Sequence, residues 1–460
     1  MVSLCALWCG ACGGGDDDGG GETPDAGDDP APDASLGRCA EAEPWTPVEP
    51  ESFYNDAFPE MVVPFTPENP YSYDKAILGK ILFWEEQMSS DDTVACGTCH
   101  RSASGGSDPR AADSVGFPSS LGAIHGAQGI RACTDDDGDI TYGGDMVQVT
   151  KRKPPTYLDA MFGGDLFWDG RATGAFTDPD APDDEPLIAA GAALESQVTG
   201  PPLSDVEMAC ADRTWPDIHA KLETAVPLAL ATDLPPDMLA AVCEHPSYPE
   251  LFEAAFGDPA ITTQRIAFAI ATHERTLLSN QTPYDQFRNG DTNALTEGQQ
   301  AGLTLMSGAG KCQRCHPEPL FSNGTFVNLG FINYDDPDGD PETDDIHVDL
   351  GREEFTGDIA NRGQFRVATI RNVGLREAQG ILHDGIGTGS DLSELMSAYN
   401  NPPKLDAHTD ARMDPETAGN VLGLTGEQIS DMLDFMRNGL TDPRVESETY
   451  PFDKPKLSTE

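Results

Sequence analysis

The sequence predicts a mainly α-helical protein built from two halves, and three observations support this fold class. Helical periodicity recurs along the chain, whereas strand signals are weak. Each half repeats one order, in which a helix precedes a Cys-x-x-Cys-His motif and long loops and closing helices follow. The chain has 460 residues, which is enough for two or three domains of ordinary size.

The spacing of apolar residues places the helices that precede the two motifs. A short helix is expected over residues 74–83, before the first motif. A longer helix is predicted over residues 263–278, where apolar residues and His273 share one stripe. We interpret His273 as a packing residue of that stripe rather than as a ligand.

Capping boxes mark two of the later helices. Thr296 is followed three residues later by Gln299, and this helix leads into the second motif. Thr425 and Gln428 form the same pattern at the start of the last predicted helix, which extends to Gly439. A further helix is predicted over residues 392–399.

The two Cys-x-x-Cys-His motifs carry the chemistry that the sequence predicts. This pattern is the attachment site of a c-type haem, in which both thiols bond to the haem and the imidazole ligates the iron. The predicted attachment residues are Cys96, Cys99, Cys312 and Cys315, and the predicted proximal ligands are His100 and His316. The cofactors are therefore two haem c groups.

A zinc site and a redox dithiol are the alternative interpretations of each motif. Zinc would require both cysteine pairs to converge on one ion, and a thioredoxin-like dithiol would require a βαβ setting that the sequence does not show. Because His follows both pairs, we expect two cytochrome-c-like domains with long loops, each around one covalently bound haem c. Their bounds are residues 51–290 and 291–446, followed by a tail over 447–460.

Charge and the N-terminal segment indicate where the protein works. With 28 Lys and Arg against 79 Asp and Glu, the net charge is −51, which excludes nucleic acid and anionic membrane surfaces as partners. Residues 1–12 resemble a lipoprotein signal ending at Cys12, and residues 13–50 form an acidic tether. We expect a periplasmic, outer-membrane or cell-surface lipoprotein of a Gram-negative bacterium that contacts the membrane only through a lipid anchor.

Four cysteines remain outside the haem motifs and the signal segment. An even number in an oxidising compartment favours two disulfides. We predict the pairs Cys210–Cys243 and Cys39–Cys133, and the alternative is four unpaired buried thiols.

Several short strings resemble one protein family, the bacterial di-haem cytochrome c peroxidases, including the MauG type. They occur in the family's order and span roughly residues 70–440. The strings are Leu78–Phe83, Phe167–Ala172, Leu194–Gln197, Asp349–Arg352, Phe365–Asn372 and His383–Gly385.

The resemblance implies a division of labour between the two haems. The N-terminal haem, with His100, reacts with peroxide, and the C-terminal haem, with His316, relays electrons or stores an oxidising equivalent. Glu195 falls where the resemblance implies a distal glutamate that shuttles a proton during cleavage of the O–O bond. The alternative for Glu195 is an ordinary surface carboxylate.

The resemblance also bears on the remaining axial ligands. Family peroxidases often carry a removable distal His about sixteen residues past the first motif, and here Gly116 has that place. The nearest His is His125, so we expect a five-coordinate first haem. At the second haem the resemblance implies Tyr399 as the distal ligand, with Met396 as the alternative. A phenolate stabilises ferric iron, whereas a thioether favours ferrous iron.

The sequence does not decide whether the protein binds calcium or which residue relays electrons. Lys153 replaces the Asn that the resemblance implies as a calcium ligand, and its ammonium group could take the place of the ion. The Asp-rich segments at 135–139 and 336–340 resemble calcium loops but lack the complete pattern, so acidic surface loops are the preferred interpretation. Trp84 and Trp168 could relay electrons or simply pack, and neither is assigned.

These features predict a peroxidase that reduces hydrogen peroxide with electrons from a small cytochrome c or copper protein. One alternative is a MauG-like enzyme that oxidises side chains of a partner protein. A second alternative is a di-haem electron carrier without peroxide chemistry, and a third is a zinc or disulfide protein without haem. Analogy to the family also suggests a homodimer.

Overall fold

A computed structural model of the chain shows a mainly helical protein, as the sequence predicts. It describes residues 34–40, 58–59, 61–110, 112–113, 125–130, 133–134, 140–142, 149–181, 183–331, 349–383, 391–401, 407–413 and 422–460. The described strands are two or three residues long and pair into two-stranded antiparallel sheets. Sheets this short cannot form a core layer, so packed helices and loops form the core.

The helices are α1 (Ala34–Cys39), α2 (Tyr73–Phe83), α3 (Cys96–Cys99), α4 (Ala193–Val198), α5 (Trp215–Thr224), α6 (Pro236–Glu244), α7 (Tyr248–Phe256), α8 (Thr263–Glu274), α9 (Pro283–Arg288), α10 (Glu297–Ser307), α11 (Glu353–Thr356), α12 (Val373–Arg376), α13 (Leu392–Asn400), α14 (Gly426–Asp434) and α15 (Pro443–Glu446). Short 3₁₀ turns span Glu86–Met88, Ser102–Ser104, Ala160–Phe162, Pro201–Leu203, Cys312–Arg314, Ile359–Asn361 and Glu377–Gln379, and a π-helical turn spans Phe435–Gly439. The strands are β1 (Ala112–Asp113), β2 (His125–Gly126), β3 (Cys133–Thr134), β4 (Ile140–Tyr142), β5 (Phe326–Val327) and β6 (Phe365–Arg366).

The first core forms where α2 crosses α8. Leu78, Ile81 and Leu82 of α2 are fully buried, as is Ile266 of α8. Gly79 permits the close crossing, because a Cβ atom there would lie 1.9 Å from the carbonyl oxygen of Ala269. This helix pair forms one side of the region that holds the first Cys-x-x-Cys-His motif.

The second core forms around α10 and α14. Met306 on α10 packs with Met432 on α14 and with Phe435 in the π-helical turn, and all three side chains have no exposed surface. Gly302 allows the two helices to approach, because a Cβ atom there would lie 2.3 Å from the carbonyl oxygen of Asp431. The second motif directly follows α10.

The predicted helices that precede and follow the motifs are present. Thr296 and Thr425 cap α10 and α14 through the expected capping boxes. The helix predicted over residues 263–278 ends at Glu274, where Arg275 takes over as its C-terminal cap. His273 is 4 % exposed and its ring lies 5.6 Å from that of Phe83, so it packs in the core.

The two disulfides join different partners from those predicted. Cys39 bonds to Cys243, and Cys133 bonds to Cys210. The first bond follows from the packing of α1 on α6, which brings their cysteines together. The predicted pairs were wrong because cysteine spacing alone does not determine connectivity.

The predicted tail over residues 447–460 packs against the first core. Phe452 and Leu457 are buried in that core, and Lys456 pairs with Thr232 through two backbone hydrogen bonds of 2.8 Å. Within the described residues, no helix combines the length and the apolar character needed to cross a membrane.

Candidate haem sites

The first motif forms one helical turn that presents both thiols and the imidazole to one cavity. The backbone N–H of His100 donates to the carbonyl oxygen of Cys96 at 3.1 Å, which closes the turn of α3. The Nδ1 atom of His100 lies 3.2 Å from the carbonyl oxygen of Gly106. Because only a protonated Nδ1 can donate to a carbonyl, Nε2 carries the lone pair that a metal requires. Burial lowers the pKa of His100 and favours this neutral form.

The first cavity has a volume of about 520 Å³ and is lined by all three motif side chains. Cys96 and Cys99 are unbonded thiols, and burial raises the pKa of each above its ordinary value. Trp84 packs on Gly97 of the motif, since a Cβ atom at Gly97 would lie 2.2 Å from the Trp84 ring. The packing interpretation of Trp84 therefore agrees with its position.

The second motif repeats this geometry in the other half of the chain. The backbone N–H of His316 donates to the carbonyl oxygen of Cys312 at 2.8 Å. The Nδ1 atom of His316 lies 2.8 Å from the carbonyl oxygen of Phe321, so its Nε2 atom again carries the lone pair. Burial lowers the pKa of His316 as it does for the first motif.

The second cavity has a volume of about 430 Å³ and contains both candidate distal ligands. Cys312, Cys315 and His316 line it, and Met396 and Tyr399 of α13 line it as well. Burial, followed by the charges of the two motif cysteines, raises the pKa of Tyr399 above its ordinary value. Both predicted candidates thus stand at the same cavity, and the choice between them stays a prediction.

The two cavities share a wall. The residues that line both are Lys153, Pro154, Pro155, Thr156, Trp168 and Arg366. The indole Nε1 of Trp168 donates to the carbonyl oxygen of Lys153 at 2.7 Å, which fixes the ring in this wall. The sequence assigns no role to Trp168, and the structure shows that its side chain lines both cavities.

Two buried guanidinium groups near the shared wall suit a cofactor that carries carboxylates. Arg366 and Arg376 line the second cavity, and burial lowers the pKa of each to about 10. Among the described residues, no carboxylate lies within 4 Å of either group, although each donates to backbone carbonyls. Each haem carries two carboxylate side chains, so these cations, the free thiols and the neutral imidazoles fit two haem c groups.

Glu195 does not line the first cavity. Its carboxylate is fully buried and accepts from Arg275 at 2.6 Å and 3.0 Å and from Asn69 at 2.8 Å. Its neighbours Leu194 and Gln197 do reach the cavity wall. The proton-shuttle role predicted for Glu195 remains untested, and its ion pair gives it a structural partner instead.

Four carboxyl groups line the first cavity, and Glu207 and Glu274 are the two among them whose pKa is raised by burial. Burial raises the pKa of Glu207, while the nearby Arg171 charge and a hydrogen bond from Ser204 lower it. Burial raises the pKa of Glu274 to about 8. The sequence feature that points to Glu207 is an acidic residue between apolar neighbours, in Val206-Glu207-Met208.

Three other sequence predictions are not decided by the structure. His125 lies in β2, opposite Asp113 of β1, and its role as a ligand stays untested. The two Asp-rich segments lie outside the described residues. Among the residues that the structure does describe, no cluster of His, Cys, Asp or Glu is arranged to hold a metal ion by itself.

Comparison with known proteins identifies relatives along most of the chain. The family model of di-haem cytochrome c peroxidases matches residues 73–293. Cytochrome c551 peroxidase of Nitrosomonas europaea is 26% identical over 327 residues, which cover 71% of this chain and 73% of that protein. The methylamine utilization protein MauG of Methylorubrum extorquens is 27% identical over 326 residues, which cover 70% of this chain and 68% of that protein. Cytochrome c peroxidase Ccp of Escherichia coli is 28% identical over 342 residues, which cover 73% of this chain and 57% of that protein.

Solved structures share the fold over a larger part of the chain. A MauG-like protein associated with microbial copper homeostasis has a TM-score of 0.56 at 21% identity, covering 85% of this chain and 95% of that one. The diheme peroxidase BthA from Burkholderia thailandensis has a TM-score of 0.52 at 17% identity, and the match covers 90% of this chain and 93% of that one. Over residues 73–293 the chain is therefore similar to the di-haem cytochrome c peroxidase family, whose members are oxidoreductases and which implies two haem c groups.

Proposed function

We propose that the protein reduces hydrogen peroxide with electrons from a small redox protein outside the cytoplasm. The observation that carries this proposal is the pair of cavities with a common wall. One cavity adds carboxyl groups to its Cys-x-x-Cys-His motif, and the other adds Tyr399 and Met396. Acid/base groups at one site and redox-tuning ligands at the other suit a division into peroxide chemistry and electron storage.

The residues that would hold the two haems follow from the motif geometry. The attachment residues would be Cys96 and Cys99 at the first site and Cys312 and Cys315 at the second, with His100 and His316 as proximal ligands. Haem c supplies an iron that accepts peroxide at one site and exchanges electrons at the other. The carboxylates of the haems would be neutralised by Arg366 and Arg376.

Glu207 is our preferred proton shuttle. Cleavage of the O–O bond requires a proton to move from one peroxide oxygen to the other, and a carboxyl group at the cavity wall can accept and return it. Glu207 lines the cavity and its pKa is raised, whereas Glu195 is held in a buried ion pair. Gln197 lines the same wall and can donate a hydrogen bond to a polar ligand.

Trp168 is our preferred electron relay between the two sites. Its ring lines both cavities, and its indole N–H is held by the Lys153 carbonyl. The ring of His383 lies 6.3 Å from it and stacks on Phe365 at 3.6 Å. Replacement of Trp168 by Phe should slow electron transfer between the haems without loss of either cofactor.

The decisive experiment combines peroxide turnover with the ferric electron paramagnetic resonance spectrum. We expect peroxide consumption with a reduced cytochrome, together with a high-spin signal that is lost when His100 is replaced by Ala. Replacement of His316 should remove the other haem signal instead. Two low-spin signals and no peroxide consumption would support the di-haem electron carrier.

A MauG-like oxidation of partner side chains is the second candidate, and Tyr399 favours it. A tyrosinate ligand stabilises higher oxidation states of iron, which suits storage of oxidising equivalents. Mass spectrometry of a co-purified partner after peroxide addition would show oxygen insertion or cross-links if this function is correct. A pure peroxidase would leave the partner's mass unchanged while it consumes peroxide.

The remaining expectations from the sequence complete the proposal. We propose haem domains at residues 51–290 and 291–446, anchoring through Cys12, and a homodimeric state. Lipid labelling would test the anchoring through Cys12, and light scattering would test the homodimeric state. Calcium is not required by this proposal, because the Lys153 side chain brings a positive charge to the wall between the sites.

A further inference from the structure

Glu274 is a buried carboxyl group of the first cavity, and it forms no ion pair with any residue that the structure describes. It is 4 % exposed and lies on α8 one turn after Ile270, and both residues line the cavity wall. Its Oε2 atom has no hydrogen-bond partner in the part of the chain that the structure describes. Burial of a charged carboxylate whose oxygen lacks such a partner is unfavourable, so the neutral acid is favoured.

The other carboxyl groups of this wall are compensated. Asp169 accepts from Arg152 and Arg171, and Glu354 pairs with Lys151 and Arg152. Glu207 faces the charge of Arg171 and a hydrogen bond from Ser204. Glu274 is therefore the wall carboxyl group best suited to hold a proton at neutral pH.

The charged and titratable groups around Glu274 agree with this assignment. Arg275, the next residue and the C-terminal cap of α8, lowers the pKa of Glu274, and Glu195 of α4 raises it. Arg275 directs its guanidinium to Glu195 at 2.6 Å, which reduces the positive charge that Glu274 experiences. Burial is the largest cause and raises the pKa to about 8. Cys96 of α3 and Tyr157 are also electrostatic neighbours of Glu274.

We propose that Glu274 is a second acid of the first site and delivers one of the protons that peroxide reduction consumes. This inference rests on the proposed function. One hydrogen peroxide, two electrons from the reduced donor protein and two protons give two water molecules. The O–O bond breaks, and two new O–H bonds form. Glu207 moves a proton between the peroxide oxygens without net supply, whereas Glu274 gives up its own proton and regains it from solvent.

The test compares Glu274→Gln with Asp159→Asn. Asp159 is the matched control, because it is another buried carboxyl group with a raised pKa whose Oδ2 atom has no hydrogen-bond partner among the described residues, but it does not line the first cavity. Fluoride is the probe, since it binds ferric haem together with a proton held by a nearby acid. Fluoride affinity and peroxide turnover are measured from pH 5 to 10 on haem-loaded protein.

In the wild type we expect fluoride affinity to fall about tenfold per pH unit above pH 8, as linkage to one proton requires. Glu274→Gln should lose this inflection, and its peroxide turnover at pH 7 should fall about 10²-fold. Asp159→Asn should keep both properties. If Glu274→Gln loses haem, Glu274→Asp replaces it, and this variant should keep the inflection at a shifted pH.

The proposal is overturned if Glu274→Gln keeps the inflection near pH 8 or turns over peroxide within twofold of the wild type. It is also overturned if Glu274→Asp shows no pH-dependent fluoride binding. A wild type that binds fluoride with the expected inflection but does not consume peroxide would reject the proposed function and proton delivery to peroxide. It would leave Glu274 as an acid of the first site, because fluoride binding does not depend on turnover.

Discussion

Glu274 at the end of α8 and Glu195, which pairs with the adjacent Arg275, are two buried carboxyl groups in different surroundings. Arg275 compensates Glu195, and their side chains are 1 % and 0 % exposed. Glu274 lines the first cavity, and its Oε2 atom has no hydrogen-bond partner among the described residues. Because Arg275 pairs with Glu195 and not with Glu274, Glu195 has a structural partner and Glu274 is a candidate acid. The difference lies in side-chain direction around the helix, which sequence position alone does not show.

Glu195→Gln tests the structural role of this ion pair. Removal of the carboxylate leaves the buried Arg275 charge uncompensated, so we expect the free energy of unfolding to fall by about 3–5 kcal/mol. Urea denaturation of the haem-loaded protein measures the loss. Turnover per folded molecule should stay within a few-fold of the wild type.

Glu207→Gln is the comparison variant for Glu195→Gln. It should lose at least about 10²-fold in peroxide turnover with little change in the unfolding free energy. The reverse pattern, in which Glu195→Gln abolishes turnover at unchanged stability, would support the role that the sequence predicted for Glu195.

Tyr399→Phe tests the distal ligand of the second haem. If the phenolate ligates, the second haem loses its tyrosinate signature in the ferric electron paramagnetic resonance spectrum. Met396→Leu should leave that spectrum unchanged, because Met396 would then only pack against the cavity. An unaltered Tyr399→Phe spectrum combined with an altered Met396→Leu spectrum would reverse the assignment.

Lys153→Met tests the charge in the shared wall. A buried ammonium group disfavours ferric iron, so its removal should lower both reduction potentials at pH 6. The expected shift is on the order of tens of millivolts for a unit charge about 10 Å away in an effective dielectric near 20. Burial is the largest cause that lowers the pKa of Lys153, to about 8, while the Asp108 charge raises it. The wild-type potentials should therefore fall as pH rises through 8 and approach those of the variant.

Lys151→Met is the matched control for the Lys153 experiment. Lys151 is two residues away, but its side chain is 44 % exposed and it lines the first cavity only. Solvent screens its charge, so potentiometric titration should show a smaller shift. Equal shifts in both variants would mean that Lys153 has no special effect on the shared wall.

At the scale of elements, the walls of the first cavity depend on a long-range disulfide. Cys133–Cys210 joins β3 to the segment that carries Glu207. The backbone N–H of Ile130 also donates to the carbonyl oxygen of Glu207 at 2.9 Å. Two chain segments distant in sequence are thereby held together beside the candidate proton shuttle.

Cys133→Ser with Cys210→Ser tests whether this disulfide positions Glu207. We expect the unfolding free energy to fall by about 2–4 kcal/mol and the pH dependence of fluoride binding to change. The control replaces Cys39 and Cys243, whose bond joins α1 to α6 away from the cavity. That variant should lose stability while its fluoride titration remains that of the wild type. Identical titrations for both variants would remove any positioning role.

The sequence predicted elements better than it predicted side-chain partners. The capping boxes at Thr296 and Thr425 gave the helix starts, because an N-cap is a local interaction. Ser247 and Glu250 form the same kind of capping box at the start of α7. Disulfide partners and the placement of Glu195 depend on contacts between distant segments, which periodicity does not encode.

At the scale of the whole molecule, the two haem motifs were predicted from the sequence because their chemistry is contained in five consecutive residues. The shared wall was not, since Lys153, Trp168 and Arg366 come from segments far apart in the chain. The net charge was available from composition, and it governs how a protein donor approaches.

A net charge of −51 predicts electrostatic steering of a basic donor protein. The second-order rate of electron uptake from a basic cytochrome c should fall by 10-fold or more as ionic strength rises from about 10 to 200 mM, because salt shortens the Debye length from about 30 Å to below 10 Å. Stopped-flow absorbance measures this rate on the haem-loaded protein. An acidic cytochrome should react slowly at low salt and faster as salt is added, and a small uncharged reductant should show little dependence. If all three donors respond alike, salt acts on the haem sites themselves and the acidic surface does not select the partner.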